Sequence, residues 1–175
     1  MNSPGKILVI IGSATKNSSN QKLMEQVLEK NPGIHFQMYD DLSAFPHFDT
    51  SCTDVNIPKE IVKIREDIQH SAGVIFSTPE YIFSIPSRLK NVLEWCVSTN
   101  VFTDKPVACI TGSASGEKGH EELLLLLTTL GAKINDKHQL LIKGIKGKIK
   151  PDGSVENNTF AKVLQLVTDF SESVS

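Results

Sequence analysis

Five consecutive apolar residues, Ile7-Leu8-Val9-Ile10-Ile11, followed by Gly12, constrain this chain more than any other stretch. A short continuous apolar run bounded by turn residues reads as a strand buried on both faces, the kind found in the middle of a parallel sheet. Gly12 is expected to let the backbone turn sharply. Residues 13–20 then carry hydroxyls or amides at every position except Ala14 and Lys16. From about Ser18 an amphipathic pattern begins, with Leu23, Met24, Val27 and Leu28 on one face, so a helix follows. Strand, hydroxyl-rich loop and helix start aim several backbone N–H groups and the positive helix end at one spot, which suits a phosphate.

The rest of the chain repeats the alternation. A second strand is expected over 34–39, then a long polar loop from about Asp40 to Ile57 that carries Leu42, Phe45-Pro46-His47-Phe48 and Cys52. Pro58 suits the first turn of a helix whose stripe is Ile61, Ile64 and Ile68. Residues 72–77 form strand three, and Pro86 opens a helix with Leu89, Val92, Leu93 and Cys96 on one face. Strand four is expected over 106–110, with a small-residue loop over 111–119. Leu123 to Leu127 then make a helix covered on most sides, stopped by Gly131. Strand five falls within 134–142. A lysine- and glycine-rich connection, 143–150, leads to a last helix showing Phe160, Val163, Leu164 and Val167 on one face.

Strands alternating with helices give an α/β fold with helices on both faces of a doubly wound, five-stranded parallel sheet. Right-handed crossovers and a phosphate loop after strand one favour the flavodoxin-like order 2-1-3-4-5. That order brings the loops after strands one, three and four to one sheet edge. These are the loops of unusual composition, so one site is expected, within one domain over residues 1–175.

Composition narrows the partners. A net charge of −2 gives no basic surface for nucleic acid. Lys143 to Lys150 has no interleaved aromatic residues and reads as a solvated connection. The run 7–11 is far too short to cross a membrane or serve as a signal segment. Three widely spaced cysteines, Cys52, Cys96 and Cys109, fit a reducing compartment, so a soluble cytoplasmic protein is expected. His120-Glu121-Glu122 reads as an exposed helix start and not as a metal site.

The loop after strand one is not a Walker A loop, because Asn17 stands where that motif needs glycine. It has one glycine where a dinucleotide fingerprint needs three, and no cysteine for a tyrosine-phosphatase loop. Its own chemistry leaves two readings, a metal-free phosphate site or a solvated turn capped by Asn17 or Ser18.

Gly12-Ser13 with Ser18 and Asn20, Thr78-Pro79-Glu80-Tyr81 with Leu89-Lys90-Asn91, and the small-residue loop over 111–119 together resemble three segments of the NAD(P)H-dependent FMN reductase family. Gly12-Ser13-x-x-x-x-Ser18-x-Asn20 is similar to its GSxRxxSxN phosphate loop. Thr78-Pro79-Glu80-Tyr81, Ser84-Ile85-Pro86 and Leu89-Lys90-Asn91-x-x-Glu94-Trp95 are similar to its TPEYNxSxPGxLKNxxDW. Residues 111–119 resemble its third flavin-contacting loop. The resemblance runs from about Ile7 to Leu141. It implies one FMN per subunit and hydride transfer from NADPH or NADH. The electrons would then go to a small-molecule acceptor, namely a quinone, an azo compound, a metal ion or free flavin. A homodimer or homotetramer is implied too, with Trp95 leaning toward the subunit interface. By position, Ser13, Thr15, Ser18, Ser19 and Asn20 correspond to the phosphate loop. Pro79, Glu80, Tyr81 and Ile82 would line the isoalloxazine, and Ser113, Ser115 and Gly116 would cover its other edge. No side chain is expected to act as acid or base, because the flavin carries the chemistry.

The chain departs from the family at Thr15, where the family has arginine, and at Ile82, where it has asparagine. Ser87 and Lys118 each replace a glycine. These departures support a second expectation, a flavodoxin-like binding or redox-sensing protein with weak or absent FMN binding and no turnover.

Overall fold

The computed structural model describes residues 5–52 and 56–175; residues 1–4 and the part of the long loop at 53–55 lie outside the described residues. The elements run β1 (Ile7–Ile11), α1 (Ser19–Glu29), β2 (Phe36–Tyr39), α2 (Lys59–His70), β3 (Gly73–Thr78), α3 (Ser87–Glu94), β4 (Pro106–Ser113), α4 (Glu117–Thr129), β5 (Lys133–Lys143) and α5 (Asn157–Ser173), with a 3-10 turn at Ile145–Lys148. The strands form one parallel sheet in the order β2-β1-β3-β4-β5. The flavodoxin-like topology is therefore the one expected.

Alternation along β1 divides the core into two layers. Leu8 and Ile10 face α2, α3 and α4 through Ile64, Ile68, Leu89, Val92, Leu123 and Leu127. Ile7, Val9 and Ile11 face α1 and α5 through Leu23, Met24, Val27, Val163, Val167 and Phe170. Both faces are covered, which is why β1 reads as an unbroken apolar run. Among the described residues no helix is long and apolar enough to cross a membrane.

Several expectations change in the folded chain. β2 begins only at Phe36, because Ile34 closes a turn on the Asn31 carbonyl. β3 is shifted by one residue, to Gly73–Thr78. β4 runs three residues past Ile110, since Thr111, Gly112 and Ser113 pair with Leu141, Ile142 and Lys143 of β5. Pro58 and Pro86 each stand just before their helix, at the cap. The leucine run is covered on most sides, as expected: Leu123 and Leu127 are buried, Leu124 and Leu126 are partly buried against the core, and Leu125 is 67% exposed.

Trp95 is core rather than free surface. It is 2% exposed within a single chain, stacks edge-on against Phe48, and donates its indole N–H to the Pro46 carbonyl at 2.8 Å. The Asn91 side chain supports the same segment, donating to the Pro46 carbonyl at 2.9 Å and accepting from the Phe48 amide at 2.7 Å. The long loop after β2 is thus fastened to α3 by its aromatic stretch.

Candidate active site

The carboxyl ends of β1, β3 and β4 meet at one cavity of about 760 Å³. Nine of the residues singled out from the sequence line it: Ser13, Thr15, Ser18, Ser19, Asn20, Pro79, Glu80, Tyr81 and Ser113. Its size is that of an ordinary small-molecule pocket.

One end is the loop between β1 and α1. Ser18 caps α1, its hydroxyl accepting the Gln21 amide at 3.1 Å, while Gln21 Oε1 accepts the Asn17 amide at 2.8 Å. Asn17 sits in the left-handed region at φ 54°, which asparagine tolerates well. Among the described residues the amides of Ser18, Ser19 and Asn20 have no protein acceptor. They join the hydroxyls of this loop at the positive end of α1, a donor set that fits a phosphate. The Asn20 side chain serves the fold: it is buried, donates to the Gly112 carbonyl at 2.8 Å and accepts from Ser77 at 3.3 Å. Its contribution to a ligand is therefore the backbone amide.

Gly12 acts here through space and not through turning. Its φ is not positive. A Cβ added there would lie 2.3 Å from Thr78 Oγ1 and 2.8 Å from Leu89 Cδ2, so the glycine lets β1 approach β3 and α3.

The other end is built from residues after β3 and β4. The Tyr81 and Ser13 hydroxyls lie 3.4 Å apart, and the Ser113 hydroxyl donates to the Glu80 carbonyl at 3.4 Å. The Glu80 carboxylate turns toward the start of α4. It accepts from the Ser115 hydroxyl at 3.2 Å and from the amides of Gly116 and Gly119 at 3.3 and 2.8 Å. Ser115 and Gly116 thus hold Glu80 in place without lining the cavity. Gly116 adopts φ 90° just before α4, a conformation suited to glycine.

Ile82 does not line the cavity either. Tyr81 and Ser84 exchange backbone hydrogen bonds of 2.9 and 3.1 Å around Ile82 and Phe83, both at positive φ (50° and 57°), the pattern of a type I′ turn. The two side chains project into solvent, 95% and 75% exposed. Glu122 fastens this turn from α4, accepting from the Ser84 hydroxyl at 2.6 Å, the Ile85 amide at 2.8 Å and Lys90 Nζ at 3.0 Å. Burial opposes ionisation of Glu122, but these donors outweigh it and hold the carboxyl below its ordinary value.

His120 to Glu122 is therefore not simply an exposed helix start. His120 is partly buried, its Nδ1 2.8 Å from Thr111 Oγ1, and burial holds it below the usual histidine range. Burial also pushes the Cys96 and Cys109 thiols up to about 12, so neither is a nucleophile at neutral pH.

The sequence reading missed the fourth wall. Gly144, Ile145, Lys146, Gly147 and Ile149 line the cavity as well, together with Asn17, Gly112 and Ala114. The connection after β5 is no plain solvated link. Ile145 is 4% exposed and lies where a side chain at Gly112 would strike it. A buried isoleucine inside a lysine–glycine run was the available signal.

Comparison with known proteins agrees with this geometry. The sequence profile of the NADPH-dependent FMN reductase family matches residues 5–146. The NADH:(hydroxy)cinnamate reductase subunit CrdA of Vibrio ruber is 29% identical, over 93% of this chain and 84% of that protein. An NADPH:quinone oxidoreductase of Arabidopsis thaliana is 33% identical over 63% of this chain and 60% of its own length. Among solved structures, the NAD(P)H:acceptor oxidoreductase FerB from Paracoccus denitrificans superposes with a TM-score of 0.82 at 26% identity, covering 97% of each chain. With a flavodoxin-like sheet and this profile over most of its length, the chain belongs to the NADPH-dependent FMN reductase family of oxidoreductases.

Proposed function

We propose that the chain is an FMN-dependent NAD(P)H oxidoreductase working by a ping-pong cycle. NAD(P)H delivers a hydride and leaves, and a quinone, azo compound, metal ion or free flavin then enters the same opening. The observation that carries the reading is the cavity itself: free amides at its α1 end and flat, rigid walls from Pro79 and Tyr81 at the other. When bound, FMN supplies the hydride and electron chemistry.

The protein's part is to bind and to orient. Ser18, Ser19 and Asn20 present amides to the phosphate, with the hydroxyls of Ser13, Thr15, Ser18 and Ser19 around them. Ser13 steadies Tyr81 through their shared hydrogen bond, and Glu80 holds the Pro79–Tyr81 segment against α4. The turn at Ile82 and Phe83 presents apolar side chains to solvent, which suits burial against a second copy in a homodimer or homotetramer. All three cysteines are free, in keeping with a cytoplasmic protein.

The first test is a visible spectrum of the protein after mixing with FMN and removing free ligand, followed by anaerobic NADPH and then NADH. A retained flavin band that bleaches, and recovers when a quinone is added, is expected. A retained band that neither nucleotide bleaches would overturn the proposal. A specific observation also favours the second reading, a binding protein with weak FMN affinity: Thr15 replaces the family's arginine, and the neighbouring Lys16 pairs with Asp41 at 3.3 Å and does not line the cavity. Failure to retain FMN is the outcome expected on that reading.

A further inference from the structure

A phosphate dianion held only by amides and hydroxyls lacks a counter-charge, and the loop after β1 does not supply one. Lys16 points to a separate cavity of about 240 Å³ beside the same loop, where it faces Asp40 and Asp41. Arg88, near the start of α3, lines that smaller cavity too and donates to the Ala14 carbonyl at 3.2 Å. Neither cation lines the large cavity.

The large cavity has two charged residues, Glu80 and Lys146. The Glu80 carboxylate is engaged by the amides at the start of α4. Lys146 belongs to a run of lysines, and its two nearest neighbours in that run differ from it. Lys143 is paired with Glu117, and Lys148 with Glu156 at 3.1 Å. Lys146 has no acidic partner among the described residues and makes no side-chain hydrogen bond there.

The backbone holds it at that position. Gly144 turns through φ 67° and donates to the Ala114 carbonyl at 3.1 Å, and Gly147 closes the 3-10 turn on the Gly144 carbonyl at 3.0 Å. Ile145 anchors the turn below by packing beside Gly112 and Asn20. Lys146 is thus an unpaired cation on a tethered turn at the rim of the cavity, and that turn packs beside the start of α1, where the free amides collect.

We infer that Lys146 is the cation that binds the cofactor phosphate, supplied from the connection after β5 in place of an arginine in the phosphate loop. The inference rests on the proposed function for the identity of the ligand. Lys146 is a binding residue only: no bond is made or broken at its nitrogen. A charge-assisted contact to a phosphate contributes about 1.5–3 kcal/mol, roughly a ten- to hundredfold effect on affinity.

The test compares FMN with riboflavin, which has the same ring and no phosphate. Fluorescence titrations of the apoprotein are run for wild type, Lys146→Gln, Lys146→Arg and Lys16→Gln at low and high salt. Lys146→Gln is expected to weaken FMN binding at least about tenfold while changing riboflavin binding less than about twofold, and to flatten the salt dependence. Lys146→Arg should retain most of the FMN affinity, and Lys16→Gln all of it. Unchanged FMN affinity in Lys146→Gln would overturn the inference, as would equal weakening of FMN and riboflavin, or a selective loss of FMN binding in Lys16→Gln. A wild-type protein that binds no FMN would overturn this inference and the proposed function together. Selective loss in Lys146→Gln, with a bound flavin that nicotinamide nucleotides do not bleach, would uphold this inference and overturn the enzymatic reading alone.

Discussion

Glu122 on α4 accepts the Ser84 hydroxyl at 2.6 Å, and by that bond and the Ile85 amide it fixes the turn next to Tyr81. Glu80 reaches the opposite way, from the segment after β3 to the first amides of α4. Two carboxylates exchanged between the same two elements hold one wall of the cavity.

Glu122→Ala is accordingly expected to cost about 2–3 kcal/mol, because it leaves a hydroxyl, a partly buried amide and Lys90 without their shared acceptor. Chemical denaturation measures this directly. Flavin affinity should fall in parallel, while Glu122→Gln, which keeps an acceptor oxygen, should lose less of both.

Ile82 is strained where it stands. A β-branched residue at φ 50° pays a steric cost, and 95% exposure returns nothing in packing. Ile82→Asn is expected to stabilise the protein by about 1 kcal/mol, since asparagine adopts the left-handed region more readily. If Ile82 is buried in an oligomer, the same change should also weaken that oligomer. Thermal denaturation and light scattering together separate the two effects.

At Gly12 the expectation is reversed. Gly12→Ala places a methyl 2.3 Å from Thr78 Oγ1 and 2.7 Å from its Cβ, forcing β1 and β3 apart where the cavity begins. Overpacking of this kind costs about 1–3 kcal/mol. The flavin titration should show a matching loss, with FMN and riboflavin affected alike.

Far from the cavity, Asp67 sets a pH dependence of stability. It accepts from Lys6 at 2.9 Å, Lys63 at 2.8 Å, Gln37 at 2.8 Å and Tyr39 at 2.6 Å. Burial alone would raise its pKa, but the bonds from Lys63, Tyr39, Lys6 and Gln37 outweigh burial and hold it well below the ordinary 3.8. Its stabilisation is therefore full above pH 3.8 and is lost as pH falls below that value. Tyr39 moves the other way: burial first, then Asp67, raise it above 10.0, so its contribution is lost as pH rises past 10.0. Asp67→Asn should flatten the acid limb of the stability profile and reduce the alkaline loss, as read from urea midpoints across pH.

The order of elements and the outline of the cavity were legible in the chain because they rest on local rules. An unbroken apolar run, periodic stripes such as Leu89, Val92 and Leu93, and polar turns between them specify strands, helices and the loops that meet at one edge. The hydroxyls and free amides at the start of α1 belong to the same category, since a helix start exposes its donors wherever it lies. What each residue does at that edge was decided by neighbours distant in sequence. Trp95 is buried because Pro46 and Phe48 fold back over it, and Glu80 and Glu122 are structural because the segment after β3 lies against the first turns of α4. Gly12 is needed for its lack of volume, a property of Thr78 and Leu89 as much as of itself. Lys146 differs from Lys143 and Lys148 because the folded turn sets those two beside Glu117 and Glu156 and sets Lys146 at the cavity. Charge and periodicity belong to the chain, but the distance between two side chains on different elements exists only after the sheet has formed.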